Sequence, residues 1–184
     1  MSRMFRLTAA ALCLASLAGA AIALAATTKP GHADRVARGK YLVNMIGCND
    51  CHTPGTFYGS PDLSRFLAGS EMGWAGPWGT VYAANLTSDS ETGLGKWSEV
   101  EIAKALRTGN RPDGRQLAPI MPWMNFATMT PTDAMSVAAY LKSLPAVKHA
   151  VPAPVPPGVT PTGPVLSFPP PSAWDAPRTP PAGH

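Results

Sequence analysis

The chain has 184 residues, a formal charge of +4, and 45% hydrophobic against 14% charged residues. No Lys/Arg-rich run interleaved with aromatics occurs, and the charge falls to +2 once Arg3 and Arg6 are set aside, so nucleic acid is excluded as an expected partner. The balance still permits docking to an acidic partner.

Residues 1–25 read as an export signal: Arg3 and Arg6 form the positive end, Leu7 to Ala26 the apolar run, and Ala23 and Ala25 fit a small-residue cleavage site. The run approaches the ~20 residues that span a bilayer, so a retained membrane anchor is the alternative. Both readings place the rest of the chain beyond the membrane. Cys13 falls inside this segment, with Leu12 where a lipid anchor would want a small residue, which leaves Cys48 and Cys51. Residues 32–148, about 115, suffice for one small core.

Three helices are expected in that core. The first covers Ala33 to Ile46, with Val36, Tyr41, Leu42 and Val43 on a broad apolar face and Gly47 as its stop. The second opens on Ser98-Glu99-Val100-Glu101, a capping box, and ends at Gly109. The third opens on Thr130, with Pro131 at the first helical position and Asp133 near the positive end of the dipole, and stops before Pro145. Between them lie irregular stretches, Thr53 to Trp97 and Asn110 to Met129, with no strand pattern. Loops this long need an organiser, and a large apolar ligand would serve. Residues 149–184 hold 12 of the 21 prolines and read as an extended tail that can be neither helix nor central strand.

Cys48-Asn49-Asp50-Cys51-His52 is C-x-x-C-H, the attachment signature of c-type haem. Two thiols at this spacing can add to two vinyl groups on one porphyrin edge, and the adjacent imidazole can then bind the iron. A thiol-redox site would want a neighbouring βαβ pattern, zinc would want a second Cys/His pair, and a structural disulfide would leave the histidine unused. For the sixth iron position, His32, His149 and His184 lie near the ends and read as solvated surface histidines. Met121 is the better candidate, with Met124 second, because flanking prolines stiffen the segment Pro119-Ile120-Met121-Pro122-Trp123-Met124. Met45, Met72 and Met129 read as apolar filling.

Four stretches in this order, 37–55, 77–109, 111–123 and 129–147, resemble class I cytochrome c domains, and most of all the haem subunits that serve bacterial periplasmic dehydrogenases. The resemblance implies an all-α, class I cytochrome c-like fold: three main helices and long loops around one covalent haem c, with the first and last helices crossing where Gly39 meets Val137 and Tyr140. It implies Cys48 and Cys51 as thioether sites, His52 as proximal and Met121 as distal iron ligand, and Gly79, Tyr82, Asn85, Trp97 and Arg115 near the haem propionates. Tyr82 and Trp97 read equally well as core packing.

The implied function is one-electron transfer in the periplasm, from a dehydrogenase to a terminal oxidase or another cytochrome, with no catalytic residue on this chain. The alternatives are a small peroxidase-like haem enzyme or a haem sensor, either of which needs an open sixth site. Subunits of this type often carry two or three haem domains, whereas this chain has one C-x-x-C-H, and the proline tail matches no part of the pattern.

Overall fold

The computed structural model describes residues 30–168. The expected export segment, Cys13, His184 and the last part of the tail lie outside them. Five helices and three short strands follow in chain order: α1 His32–Met45, α2 Cys48–His52, β1 Gly73–Gly76, β2 Gly79–Tyr82, α3 Glu99–Thr108, α4 Trp123–Phe126, α5 Pro131–Ser143 and β3 Val165–Ser167.

The long helices begin and end where local chemistry demands. Ahead of α3, the Ser98 hydroxyl accepts the Glu101 N–H at 3.2 Å while the Glu101 carboxylate accepts the Ser98 N–H at 2.7 Å. Gly109, at φ 73°, closes it in the left-handed conformation. Thr130 caps α5 by accepting the Asp133 N–H, with Pro131 in the first turn, and the helix stops just before Leu144-Pro145.

α1 lies against α5, and α3 packs on the same partner. The crossing is close because Gly39 has no side chain: a Cβ there would collide with the Ser136 carbonyl oxygen and sit 2.7 Å from the Tyr140 Cβ. Val43, Val137, Ala134 and Ala138 are fully buried at this core, beside Ile102 and Leu106 of α3. Each buried valine contributes about 1.5–3 kcal/mol relative to exposure. Arg35 reaches Glu99 at 2.6 Å and Arg38 reaches Asp133 at 2.8 Å, tying α1 to the starts of the other two helices.

The all-α expectation needs a correction. β1 and β2 pair antiparallel from Gly73↔Tyr82 to Gly76↔Gly79, and β3 pairs parallel with β1, giving the order β2-β1-β3. Strands of three or four residues are too short to show a period of two. The turn Gly76-Pro77-Trp78-Gly79 carried the usable signal, proline at the second turn position and glycine at the fourth.

The described part of the proline-rich stretch is extended, as its composition demands, but it lies on the core. Val155 exchanges two backbone hydrogen bonds with Thr80 on the outer edge of β2, at 2.8 and 2.9 Å. The chain then crosses to pair with the outer edge of β1 as β3, where Phe168 stacks on Trp74 with ring centroids 6.1 Å apart. Prolines confine such a segment to sheet edges, and both edges of the hairpin are what it covers.

Candidate haem-attachment site

Gly47, at φ 70°, breaks the chain out of α1 and lets it restart at once as the single-turn helix α2. That turn is the C-x-x-C-H motif. Cys48 and Cys51 stand three apart, neighbours on one helix face, and both are free thiols. Burial pushes the Cys48 thiol up to about 12 and raises Cys51 as well. Both therefore stay protonated near neutral pH, the reverse of the lowered thiol that disulfide-exchange chemistry needs. Among the described residues, no three His, Cys, Asp or Glu side chains gather as a metal cluster.

His52 is 8% exposed, and its Nδ1 lies 2.7 Å from the Ala84 carbonyl oxygen. A carbonyl only accepts, so Nδ1 carries the proton and Nε2 keeps the lone pair. Burial lowers the imidazole below its ordinary value despite this bond. A neutral ring, anchored at Nδ1 and basic at Nε2, is the form that binds a metal.

The surroundings of His52 are bonded over long sequence distances. Thr53, 1% exposed, accepts the Leu67 N–H at 2.9 Å. The Gly69 N–H donates to the His52 carbonyl at 2.8 Å. Leu67 is the one non-glycine among the described residues at positive φ, 56°, and it is fully buried. That conformation costs of order 1–3 kcal/mol and persists because both its N–H and its carbonyl are bonded, the latter by the Leu86 N–H at 2.8 Å.

Met121 lies in the turn before α4, part-buried and packed against the helical core, as are Cys48, Trp97, Phe126 and Met129. Met124 is 55% exposed. The Trp123 ring covers Gly109, where a Cβ would come within 2.6 Å of it, so the end of α3 seats the segment that carries Met121.

No protein-family model matches the chain. It is 30% identical over 160 residues to a nicotinate dehydrogenase polypeptide of Pseudomonas putida, covering 76% of this chain and 12% of that one. It is 35% identical over 115 residues to the fructose dehydrogenase cytochrome subunit of Gluconobacter japonicus, covering 62% and 22%. It is 36% identical over 116 residues to a diheme cytochrome c-type protein of Cereibacter sphaeroides, covering 60% and 36%. The chain is a homologue of the cytochrome c subunits of bacterial dehydrogenases. It spans between 12% and 36% of the length of these three relatives.

Cytochrome c homologues imply haem c and iron, and the donor set here fits that group: two protonated thiols on one turn, followed by a buried neutral imidazole oriented through Nδ1. Hydrogen bonding within the protein is also incomplete at the motif, where the buried Asn49 Oδ1 has no partner among the described residues, nor does the buried Arg107 Nε on α3.

The other expected cytochrome contacts divide. Trp97 borders the core with the Arg111 guanidinium 5.2 Å above its ring. Tyr82 ends β2 opposite Gly73. Arg115 is 62% exposed and pairs with Asp113 at 2.7 Å. Gly79, at φ 92°, has its Cβ position filled by the Val155 carbonyl, so it makes way for the tail. Asn85 is bonded within the protein. Its Nδ2 donates to Val147 O at 2.7 Å and Thr92 Oγ1 at 3.0 Å, and its Oδ1 accepts the Thr87 N–H and hydroxyl at 2.9 and 2.7 Å.

His149 needs another correction. Far from being solvated, its side chain is 13% exposed, with Nδ1 2.7 Å from Ala68 O and Nε2 2.8 Å from Glu71 Oε1. Its partners stand 81 and 78 residues back, where no local pattern could announce them.

Proposed function

We propose that this chain is an exported electron-transfer protein in which Cys48 and Cys51 would hold one covalent haem c and His52 and Met121 would bind its iron. The observation that carries the reading is the His52 ring: buried, neutral, bonded to Ala84 through Nδ1, and next to a C-x-x-C pair whose thiols stay protonated. Bound haem would supply a one-electron Fe(III)/Fe(II) couple.

The work of the protein is to hold the ligands still. Ala84 fixes the tautomer and orientation of His52, Thr53 and Gly69 lock the backbone around it, and Met121 offers a thioether from a turn seated on α3. A thioether opposite an imidazole raises the potential relative to many ligand sets. In this reading the domain has the class I cytochrome c fold, residues 1–25 are the export signal, and the domain continues past residue 148 to take in the tail as far as Phe168. The homologues support a dehydrogenase as electron donor; in this reading an oxidase or another cytochrome is the acceptor, in the periplasm. Among the described residues no helix is long and apolar enough to cross a membrane.

The test is the absorption spectrum of the haem-loaded, reduced chain before and after carbon monoxide. An unchanged spectrum is expected, because a bound thioether leaves no open position. A prompt shift would overturn the His/Met assignment and bring forward a haem enzyme or sensor.

A further inference from the structure

The carbonyl that orients His52 is itself held from two sides. Ser70 N–H donates to Ala83 O at 3.0 Å and Leu86 N–H to Leu67 O at 2.8 Å, so residues 67–70 run antiparallel beside residues 83–86 with Ala84 between the two bonds. On the other side, Asn85 Nδ2 reaches the Val147 carbonyl at 2.7 Å and, more weakly, the His149 carbonyl at 3.4 Å. The His149 ring closes this arrangement. Its Nδ1 donates to Ala68 O at 2.7 Å, in the middle of the 67–70 segment, while its backbone N–H donates to Thr92 Oγ1 at 3.0 Å. Val151, two residues on, lies where a Cβ on Gly69 would go.

We propose that His149 is a positioning residue for the proximal ligand: by pinning residues 67–70 against residues 83–86 it fixes the Ala84 carbonyl, and so sets the strength of the hydrogen bond on His52 Nδ1–H. This rests on the reading of His52 as a haem ligand. A firm hydrogen bond at Nδ1–H makes the imidazole a more basic ligand, which favours ferric over ferrous iron. Loosening it shifts the couple toward the reduced form.

The pin holds in either charge state of the ring. Ala68 O can only accept, so Nδ1 carries a proton whether His149 is neutral or charged. At Nε2 both kinds of partner are in reach: Glu71 Oε1 at 2.8 Å accepts from the charged ring, and Arg65 Nη1 at 3.2 Å donates to the neutral one. Other charged groups nearby are Asp62, 2.7 Å from Arg65, Lys148, paired with Glu91, and Asp89, which accepts the Thr92 hydroxyl at 2.8 Å.

The test uses the full-length, haem-loaded protein. A pyridine haemochrome spectrum of the unsubstituted chain comes first; without a haem c band the haem reading fails, and this inference with it. With the band present, the redox equilibrium against a one-electron mediator is measured for every variant at one fixed pH. H149A is expected to shift that equilibrium roughly threefold to tenfold toward the reduced form. H149N, whose amide can replace the Nδ1 donor, is expected to restore it. If H149A lowers the melting temperature while the equilibrium stays at the unsubstituted value, or if H149N does not restore it, His149 is structural only. Should H149A fail to load haem, T92V, which frees the His149 backbone, is expected to shift the equilibrium the same way by a smaller factor, and no shift there overturns the proposal.

Discussion

The two sides of the candidate haem site are held in different ways. Around His52, the hydrogen bonds join residues far apart in the chain: Leu67 N–H to Thr53 Oγ1 across 14 positions, His52 Nδ1 to Ala84 O across 32, and His149 Nδ1 to Ala68 O across 81. Around Met121, the bonds are turns: Met121 N–H to Ala118 O, Trp123 N–H to Met121 O, Asn125 N–H to Pro122 O, and Arg115 to Asp113. The furthest backbone reach on that side is the Leu117 N–H to Gly109 O, helped by the Trp123 ring on Gly109. A ligand embedded in long-range bonds moves only when much of the fold opens, whereas a ligand on turn-scale bonds can leave by local opening. On the proposed ligand set, the proximal ligand is therefore tied to more distant parts of the fold than the distal one.

A matched pair of glycine substitutions gives the largest test of this contrast. Gly69, at φ 91°, has its Cβ position occupied by Val151 Cγ1 at 2.5 Å and by Ala83 O and Asn85 N at 2.9 Å. Gly114, at φ 81°, has nothing within 4 Å. Both substitutions meet the left-handed penalty of about 1–2 kcal/mol, but only G69A adds overpacking. G69A is expected to lose about 3 kcal/mol and G114A about 1 kcal/mol in denaturant unfolding. Equal losses would mean that the proximal scaffold yields as readily as the distal loop.

The next effect is confined to the distal side. M121A is expected to open the sixth position, so that the reduced protein binds carbon monoxide promptly, with secondary structure unchanged. M124A should leave the spectrum as it was, since that side chain is 55% exposed. Carbon monoxide binding by M124A alone would transfer the ligand role to Met124.

The same contrast explains what can be read from the chain without its structure. Cys48, Cys51 and His52 are legible because their chemistry lies in five consecutive residues, as are Ser98 with Glu101 and Thr130 with Pro131, whose interactions close within one turn. The flanking prolines favour Met121 over Met124, and the packing of Met121 against the core agrees with that preference without testing ligation. The scaffold around His52 is not legible. Ala84 contributes a backbone carbonyl, which any residue carries; Leu67 adopts a left-handed conformation that its side chain disfavours; and His149 sits in a proline-rich context that suggests solvent. The partners of Asn85 within the protein, Thr87, Thr92 and Val147, are not legible either. Tertiary bonds of this kind leave no periodic or local signature, whereas the β1–β2 hairpin escapes because its strands of four residues are too short to show a period of two.

The smallest expected effect lies in the distal loop and depends on pH. Hydrogen bonding from the Arg115 guanidinium holds the Asp113 carboxyl down to about 2, with Arg111 adding to the effect. A depressed carboxyl stabilises the fold above its ordinary value near 3.8, and the stabilisation is lost as pH falls from about 4 toward about 2. The side chains of Asp113 and Arg115 are 42% and 62% exposed, so solvent screening limits the contribution to less than about 1 kcal/mol. Melting temperatures of the unsubstituted chain and D113N, compared at pH 6 and pH 3, should differ most at the higher pH, and the gap should narrow at the lower. No gap at either pH would mean that the loop is held through the bond from the Arg115 N–H to Asp113, which an asparagine oxygen at the same position could also accept, and not through charge. In that case the distal loop would be stiffer than its turn-scale bonding suggests, and the difference between the two sides would narrow.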